Sequence, residues 1–143
     1  MCLGISQLKK IDKFIQRRRE IVKKYNSEFK DMPEIKISQI NLADSNSAWH
    51  IYIIQVNLER LKVDRREIFE ALRAENIGVN VHYIPVHLQP YYQKRFGYCR
   101  GDFPKAENYY SRAITLPVFP KMTEKDINDV VKAVKKVINY YKK

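Results

Sequence analysis

Two histidines and a cluster of tyrosines in the middle of this 143-residue sequence are the side chains best suited to binding or chemistry. Six of the ten tyrosines fall within residues 83–110, next to His82 and His87. Such a ring at the end of a strand, beside a proline-containing loop, donates hydrogen bonds to a sugar hydroxyl or a phosphate while its body packs on the core. The alternative is that the rings only fill a small core and their hydroxyl groups meet solvent.

The residue spacing gives little support to a metal site, a nucleophilic cysteine or a glycine-rich phosphate-binding loop. His50, His82 and His87 supply three nitrogens, but they lack HxxxH or HExxH spacing and no acidic residue lies beside them, so we expect no metal site. Cys99 has one neighbouring cation, Arg100, which is expected to lower its thiol pKa, but no base accompanies it and an ordinary loop cysteine is predicted. The four glycines form no GxGxxG phosphate loop.

The net charge of +11 belongs almost wholly to the two ends of the chain. Residues 1–30 carry a net charge of +6 and residues 121–143 carry +4, whereas residues 31–120 carry only +1. Both ends have the apolar periodicity of amphipathic helices, with Lys and Arg mostly on the faces away from the apolar stripe. We interpret this charge as two solvated helix faces, which disfavours a nucleic-acid-binding function although it does not remove it.

Composition indicates one globular domain over residues 1–143. No apolar run approaches the roughly 18–20 residues of a membrane helix, and the first residues have no signal-peptide plan. Cys2 and Cys99 form neither a CxxC pair nor a disulfide framework, which predicts a cytoplasmic location.

Residue patterns predict an α+β fold, with a small, partly antiparallel sheet covered by helices. The predicted elements are, in order, a helix over 8–29, a short strand ending at 37, a polar turn over 41–47, a strand over 48–56, a helix from 64 to 76, a strand over 79–83, a short helix after 90, a helix over 106–112, a strand over 114–120 and a helix from 123. Capping boxes are predicted at Asp64 with Glu67 and at Thr123 with Asp126.

Three stretches together resemble the C-terminal portion of the DegT/DnrJ/EryC1/StrS sugar aminotransferases. The first is LGISQL at residues 3–8 with Asp12, the second is VHYIPVHLQPYY at 81–92, and the third runs from GDFPKAE at 101–107 to RAITLPVFP at 112–120. The second stretch is the most specific, and the resemblance covers essentially the whole chain. Within this family, the sequence is most similar to enzymes that aminate C4 of a UDP-linked 4-keto-6-deoxy amino sugar for pseudaminic acid.

The resemblance implies a pyridoxal phosphate-dependent, usually homodimeric enzyme with glutamate as the expected amino donor. In the family, a large N-terminal domain carries the Schiff-base lysine, and the C-terminal domain closes over the site and helps to hold the nucleotide-sugar. By this likeness, His82 faces the substrate or cofactor, and Tyr83, His87 and Tyr91 complete the expected substrate-binding set. No lysine of this sequence lies in the family's Schiff-base context.

The expectation is therefore a small domain that binds pyridoxal phosphate only weakly and does not transaminate alone, with no catalytic residue of its own. It would associate with a large pyridoxal phosphate-binding domain or with a second copy, and the exposed first helix is the expected contact. Two alternatives stay open: a non-catalytic module that binds a UDP-sugar, and, more remotely, a basic nucleic-acid-binding domain.

Overall fold

A computed structural model describes residues 2–37 and 47–143 and folds them into three strands and six helices. The strands are β1 (Ile35–Ile37), β2 (Tyr52–Val56) and β3 (Ala113–Leu116). The helices are α1 (Cys2–Leu8), α2 (Ile11–Phe29), α3 (Arg65–Ala74), α4 (Pro90–Phe96), α5 (Pro104–Arg112) and α6 (Glu124–Tyr141). Short 3-10 turns precede α3 at Leu58–Arg60 and α4 at Val86–Leu88. All but the last residue of the predicted turn over 41–47 lies outside the described residues.

The sheet has the order β1-β2-β3, and both of its pairings are antiparallel. At the centre of the register, Ile54 lies opposite Ile37 on one side and Ile114 on the other. The predicted α+β class, with helices packed on a small sheet, is confirmed. The sheet is antiparallel throughout its described strands rather than only in part.

The core lies between one face of the sheet and the long helices. Alternate residues of β2, namely Tyr52, Ile54 and Val56, are fully buried, as the period-2 geometry of a strand requires. The ring of Tyr25 from α2 packs 5.1 Å from that of Tyr52. The largest buried stripe is that of α6, with Ile127, Val130, Val131, Ala133, Val134, Val137 and Ile138. Each large aliphatic side chain buried here contributes about 1.5–3 kcal/mol to folding.

Both predicted capping boxes are confirmed. The Asp64 carboxylate accepts the N–H groups of Arg66 and Glu67, while the Glu67 side chain accepts the N–H of Asp64. Thr123 and Asp126 exchange the equivalent bonds at the start of α6. Because the first N–H groups of a helix have no intrahelical partner, these residues define where α3 and α6 begin.

The predicted strand over residues 79–83 is wrong. Among the described residues, its only ladder contact is an isolated bridge in which Asn80 exchanges both backbone hydrogen bonds with Thr115 of β3, at 3.1 and 2.7 Å. The N–H of Val79 is used in a tight turn to the carbonyl of Ile77, and the N–H of Val81 donates to the Asn80 side chain. Local hydrogen bonds therefore take the amide groups that a longer ladder would need.

The other strands and the first helix are shorter than predicted. β2 begins at Tyr52 rather than at residue 48, because Trp49 adopts a left-handed conformation with φ of 46°. β3 ends before Pro117, which has no N–H to donate. The first helix is interrupted after Leu8, and α2 buries its apolar side chains only from Ile21 onward.

Candidate functional site

Thr115 of β3 orients His82. Its Oγ1 atom lies 2.8 Å from Nδ1 of His82, and its side chain is buried beneath the Asn80 bridge. The peptide bond between His82 and Tyr83 is cis. The second ring nitrogen of His82, Nε2, has no hydrogen-bond partner among the described residues. The half-buried imidazole of His82 is thus oriented by a hydrogen bond at Nδ1, and its Nε2 atom can still bond to a ligand.

Two of the predicted site tyrosines stand in solvent. Tyr83 is 71% exposed, and its ring meets that of His82 edge to face at 4.6 Å. Tyr91, at the start of α4, is 66% exposed and packs edge to face on Tyr92 at 5.4 Å. Both phenol groups are available to a ligand, and the binding role of these two residues remains a prediction.

His87 lies inside the fold rather than on its surface. It is 6% exposed, and its Nε2 atom is 3.0 Å from Oε1 of Glu107 on α5. The same carboxylate oxygen accepts the N–H of Gly101 at 2.8 Å. The N–H of Gly101 and the imidazole of His87 together lower the pKa of the Glu107 carboxyl. Gly101 has φ of 99°, which only glycine adopts readily.

His87 also forms part of a cavity of about 440 Å³, here called the aromatic cleft. Four rings line it in a continuous chain, with centroid distances of 6.0 Å from Tyr92 to Phe96, 5.7 Å from Phe96 to Tyr98 and 5.4 Å from Tyr98 to Phe103. The remaining lining residues are Pro85, Val86, His87 and Ala106.

The four predicted site residues therefore occupy two neighbouring places along the chain. His87 lines the aromatic cleft, and Tyr91 contacts one of its walls. His82 and Tyr83 lie beside β3 instead, and neither lines the cleft. Among the residues that the structure describes, no hydrogen bond, ion pair or ring contact joins the two places.

Sequence reasoning missed the two phenylalanines of the cleft and Glu107. The tyrosine count drew attention to residues 83–110, but Phe96 and Phe103 carry no polar group and were not weighed. A spacing signal was present, since large rings recur at 92, 96, 98 and 103. Glu107 had no sequence signal linking it to His87, which lies twenty residues earlier.

The third histidine lies elsewhere. His50 lines a smaller cavity, of about 300 Å³, on the outer face of the sheet with Trp49, Gln55 and Tyr109. Within residues 2–37 and 47–143, no three His, Cys, Asp or Glu side chains are arranged to hold a metal ion.

Cys99 has an environment opposite to the expected one. Its thiol donates to Oδ1 of Asp102 at 3.5 Å, and its N–H donates to Oδ2 at 2.8 Å. This carboxylate raises the pKa of the thiol, whereas the neighbouring Arg100 was expected to lower it. An exposed thiol beside an anion is a poor nucleophile near neutral pH.

The described residues thus form a small α+β domain. Beside its sheet it presents the imidazole of His82, oriented by Thr115, and the aromatic cleft. The sequence profile of the DegT/DnrJ/EryC1/StrS aminotransferase family matches residues 2–135. The chain belongs to this family, whose members act in sugar biosynthesis.

Individual relatives agree with this assignment. The chain is 47% identical over 137 residues to the uncharacterised protein MJ1066 of Methanocaldococcus jannaschii, covering 96% of this chain and 35% of that protein. It is 44% identical over 137 residues to the spore coat polysaccharide biosynthesis protein SpsC of Bacillus subtilis, covering 95% of this chain and 35% of that one. Helicobacter pylori PseC, an aminotransferase involved in pseudoaminic acid biosynthesis, has a similar structure with a TM-score of 0.87 and 28% identity, covering 97% of this chain and 36% of PseC.

The chain thus spans about a third of the length of the relatives it matches. The aromatic cleft and the outer-face cavity have no lysine in their lining. A third cavity, of about 350 Å³, is lined by Lys132 and Lys136, and Lys136 pairs with Glu75 there. No described helix is both long and apolar enough to cross a membrane.

Proposed function

We propose that these residues form the small C-terminal domain of a pyridoxal phosphate-dependent nucleotide-sugar aminotransferase. The enzyme transfers an amino group from glutamate to C4 of a UDP-linked 4-keto-6-deoxy sugar for surface glycan biosynthesis. The observation that carries the proposal is the family match over residues 2–135, together with the likeness to PseC and SpsC.

His82 is the residue we assign to the nucleotide-sugar most directly. Thr115 holds one ring nitrogen at 2.8 Å, so the ring is oriented before the substrate arrives. The other nitrogen then donates to a phosphate or hydroxyl oxygen, and the exposed phenol of Tyr83 supplies a second donor nearby. A hydrogen bond to a charged oxygen contributes about 1.5–3 kcal/mol.

The domain does not transaminate by itself in this proposal. Amino transfer needs a lysine that bonds covalently to the cofactor, and no lysine of this sequence lies in the family's Schiff-base context. A large domain, in a homodimeric assembly, supplies that lysine. Such a domain would lie in the roughly two thirds of these two relatives that the match does not cover.

The test replaces the matched 137-residue region of SpsC with this chain. We expect the chimera to convert a UDP-4-keto-6-deoxy sugar and glutamate to the UDP-4-amino sugar, detected by mass spectrometry, while the 143-residue chain alone does not. His82→Ala in the chimera should lower kcat/KM at least about tenfold, the loss expected for one hydrogen bond to a charged group. Tyr140→Phe, on the exposed end of α6, is the matched control and should leave the rate unchanged.

Two outcomes contradict the proposal. One is a stoichiometric, borohydride-sensitive absorbance band when pyridoxal phosphate is added to the chain alone. The other is an inactive chimera that assembles normally and binds pyridoxal phosphate. If that inactive chimera still binds a UDP-sugar, the non-catalytic binding module becomes the better description.

A further inference from the structure

The segment that contains the aromatic cleft contributes no apolar side chain to the core of the domain. Between Val79 and Ala113, no hydrophobic residue is buried. Every residue from 90 to 106 is exposed, and α4 and α5 bury none of their side chains. Residues 90–106 are here called the aromatic lobe. Packing of the domain's own core therefore does not account for the many apolar rings in this stretch.

The rings of the lobe lie on its surface and contact mainly one another. Its five aromatic side chains range from 36% exposed at Tyr98 to 66% exposed at Tyr91. They form a continuous chain of ring contacts that ends on the buried imidazole of His87, 4.7 Å from the ring of Phe103. A contiguous exposed patch of this kind marks an interaction site, and aromatic residues are enriched at the centre of protein interfaces.

The charge of the chain disfavours a second copy as the partner of this surface. The lobe contains four Lys or Arg residues and one Asp, a net charge of +3, and the whole chain carries +11. Asp102, the only carboxylate of the lobe, already accepts the N–H of Cys99. Two copies paired through their lobes would bring like charges together, which is unfavourable. The partner that fits is an apolar protein surface accompanied by Asp or Glu side chains.

The relatives contain a partner of sufficient size. The 137 matched residues make up 35% of MJ1066 and 35% of SpsC, so about two thirds of each relative lies outside the match. That length is enough for at least one further domain. A specific interface engages about 20–30 residues on each side, so the residues of the lobe can supply most of one side.

We infer that the aromatic lobe is the surface through which this domain docks on that unmatched part, the large domain of the proposed function. Apolar side chains of the large domain fill the aromatic cleft of about 440 Å³, and its Asp and Glu side chains face the cations of the lobe. Rings that become desolvated at the centre of such a contact carry much of the binding energy. The inference rests on the proposed function for the existence of a large domain, and it names a contact other than the first helix.

Photochemical cross-linking in the SpsC chimera tests the contact directly. A benzophenone side chain replaces Phe96 in one protein and Tyr140, an exposed ring on α6 outside the lobe, in the matched control. Peptide mass spectrometry then identifies the cross-linked segments. We expect the benzophenone at position 96 to cross-link to peptides of the SpsC part and the one at position 140 not to do so. Cross-links from position 96 to residues 1–143 of another copy, or to nothing, overturn the inference.

Hydrogen exchange supplies an independent measurement. Amides of residues 91–106 should exchange at least about tenfold more slowly in the chimera than in the 143-residue chain alone, because docking suppresses local opening. Phe96→Asp should return them to fast exchange, whereas Tyr140→Asp should not. Tyr91→Asp, which changes an exposed ring outside the lining of the cleft, is a second variant and should also restore fast exchange. Equal exchange in the chain and in the chimera overturns the inference, as does full protection in both lobe variants.

Both lobe variants replace exposed side chains, so the circular dichroism spectrum and thermal unfolding of the chain alone should not change. The activity of the chimera separates this inference from the proposed function. If the chimera transfers amino groups but position 96 does not cross-link to the SpsC part, the docking surface is wrong and the function stands. If the chimera is inactive but position 96 cross-links to that part, the function fails and the docking surface stands.

Discussion

The Nε2 atom of His87 lies 3.0 Å from Oε1 of Glu107, and this contact ties the 3-10 turn before α4 to helix α5. The same carboxylate accepts the N–H of Gly101, so one side chain closes the whole loop between α4 and α5. Residues of the 3-10 turn, of the loop before α5 and of α5 are thereby joined at one carboxylate.

Glu107→Ala should open this loop locally without unfolding the core. The expected result is fast hydrogen exchange at the Gly101 amide, with protection of α6 amides unchanged, measured by NMR. Because the folded-state pKa of Glu107 is lowered from 4.5, its contribution is complete above that value and is lost as the pH falls through the folded pKa. Protection at Gly101 should therefore persist at pH 6 and decrease as the pH falls below 4.5 through the lowered pKa of Glu107. Glu70→Ala, on the exposed face of α3, is the control, and equal exchange in both variants would refute the role of Glu107.

The carboxylate of Glu34 is buried and pairs with Nζ of Lys142 at 2.7 Å. We expect Lys142→Met to lower the free energy of unfolding by about 2 kcal/mol at pH 7, because it leaves a buried anion unpaired. Lys142 lowers the pKa of Glu34 from 4.5, so this stabilisation is present above that pH and is lost below it.

Urea unfolding of both proteins at pH 7 and pH 3 measures this effect, and the difference between them should shrink at the lower pH. Lys121→Met, at an exposed position without an ion pair in the described chain, is the matched control. A difference that does not depend on pH would contradict the ion-pair explanation.

Tyr25 is completely buried and its hydroxyl donates to the carbonyl of Pro117 at 2.9 Å. Tyr25→Phe should cost about 1 kcal/mol of stability, since the buried carbonyl loses its donor. Burial raises the pKa of this phenol above 10, so the protein should lose stability as the pH rises above that value. Thermal unfolding across pH 7 to 11 checks both statements. Tyr140→Phe should have no effect, and an equal loss in that variant would refute the explanation.

We expect Asp102 to lower the reactivity of Cys99, because its carboxylate accepts a hydrogen bond from the thiol and raises the thiol pKa. Asp102→Asn should lower the thiol pKa, because the anion that raises it is removed, and should speed alkylation by iodoacetamide several-fold at pH 8. Peptide mass spectrometry reads the rate at Cys99 separately from Cys2. Arg100→Gln is the control, and an unchanged or slower reaction in Asp102→Asn would refute the role of Asp102.

The start of the chain exposes an apolar edge formed by Ile5, Leu8 and Ile11. We expect this edge to drive association with a second copy or a partner domain, as the amphipathic sequence predicts. Sedimentation velocity should show concentration-dependent association that Leu8→Glu abolishes. Phe119→Glu, which removes an exposed apolar side chain outside this edge, should not abolish it. A strictly monomeric species at high concentration would contradict the prediction.

Helices whose start or buried face depends on residues close together in the chain could be predicted from the sequence. The capping residues Asp64 and Thr123 define helix starts through bonds to residues two or three positions away, and the stripe of α6 follows from its 3.6-residue period. The α+β class could also be predicted from local residue patterns, and the family could be predicted from the motif at residues 81–92.

The conformation and the contacts of the central segment became known only from the folded structure. The strand expected over residues 79–83 reduces to one bridge because the Asn80 side chain takes the next amide. His87 meets Glu107 across twenty residues, and His82 meets Thr115 across thirty-three. Such pairings depend on where the chain returns in space, which neither periodicity nor spacing encodes. The same physical reason explains why the rings of Phe96 and Phe103 became recognisable as one wall only in the folded chain.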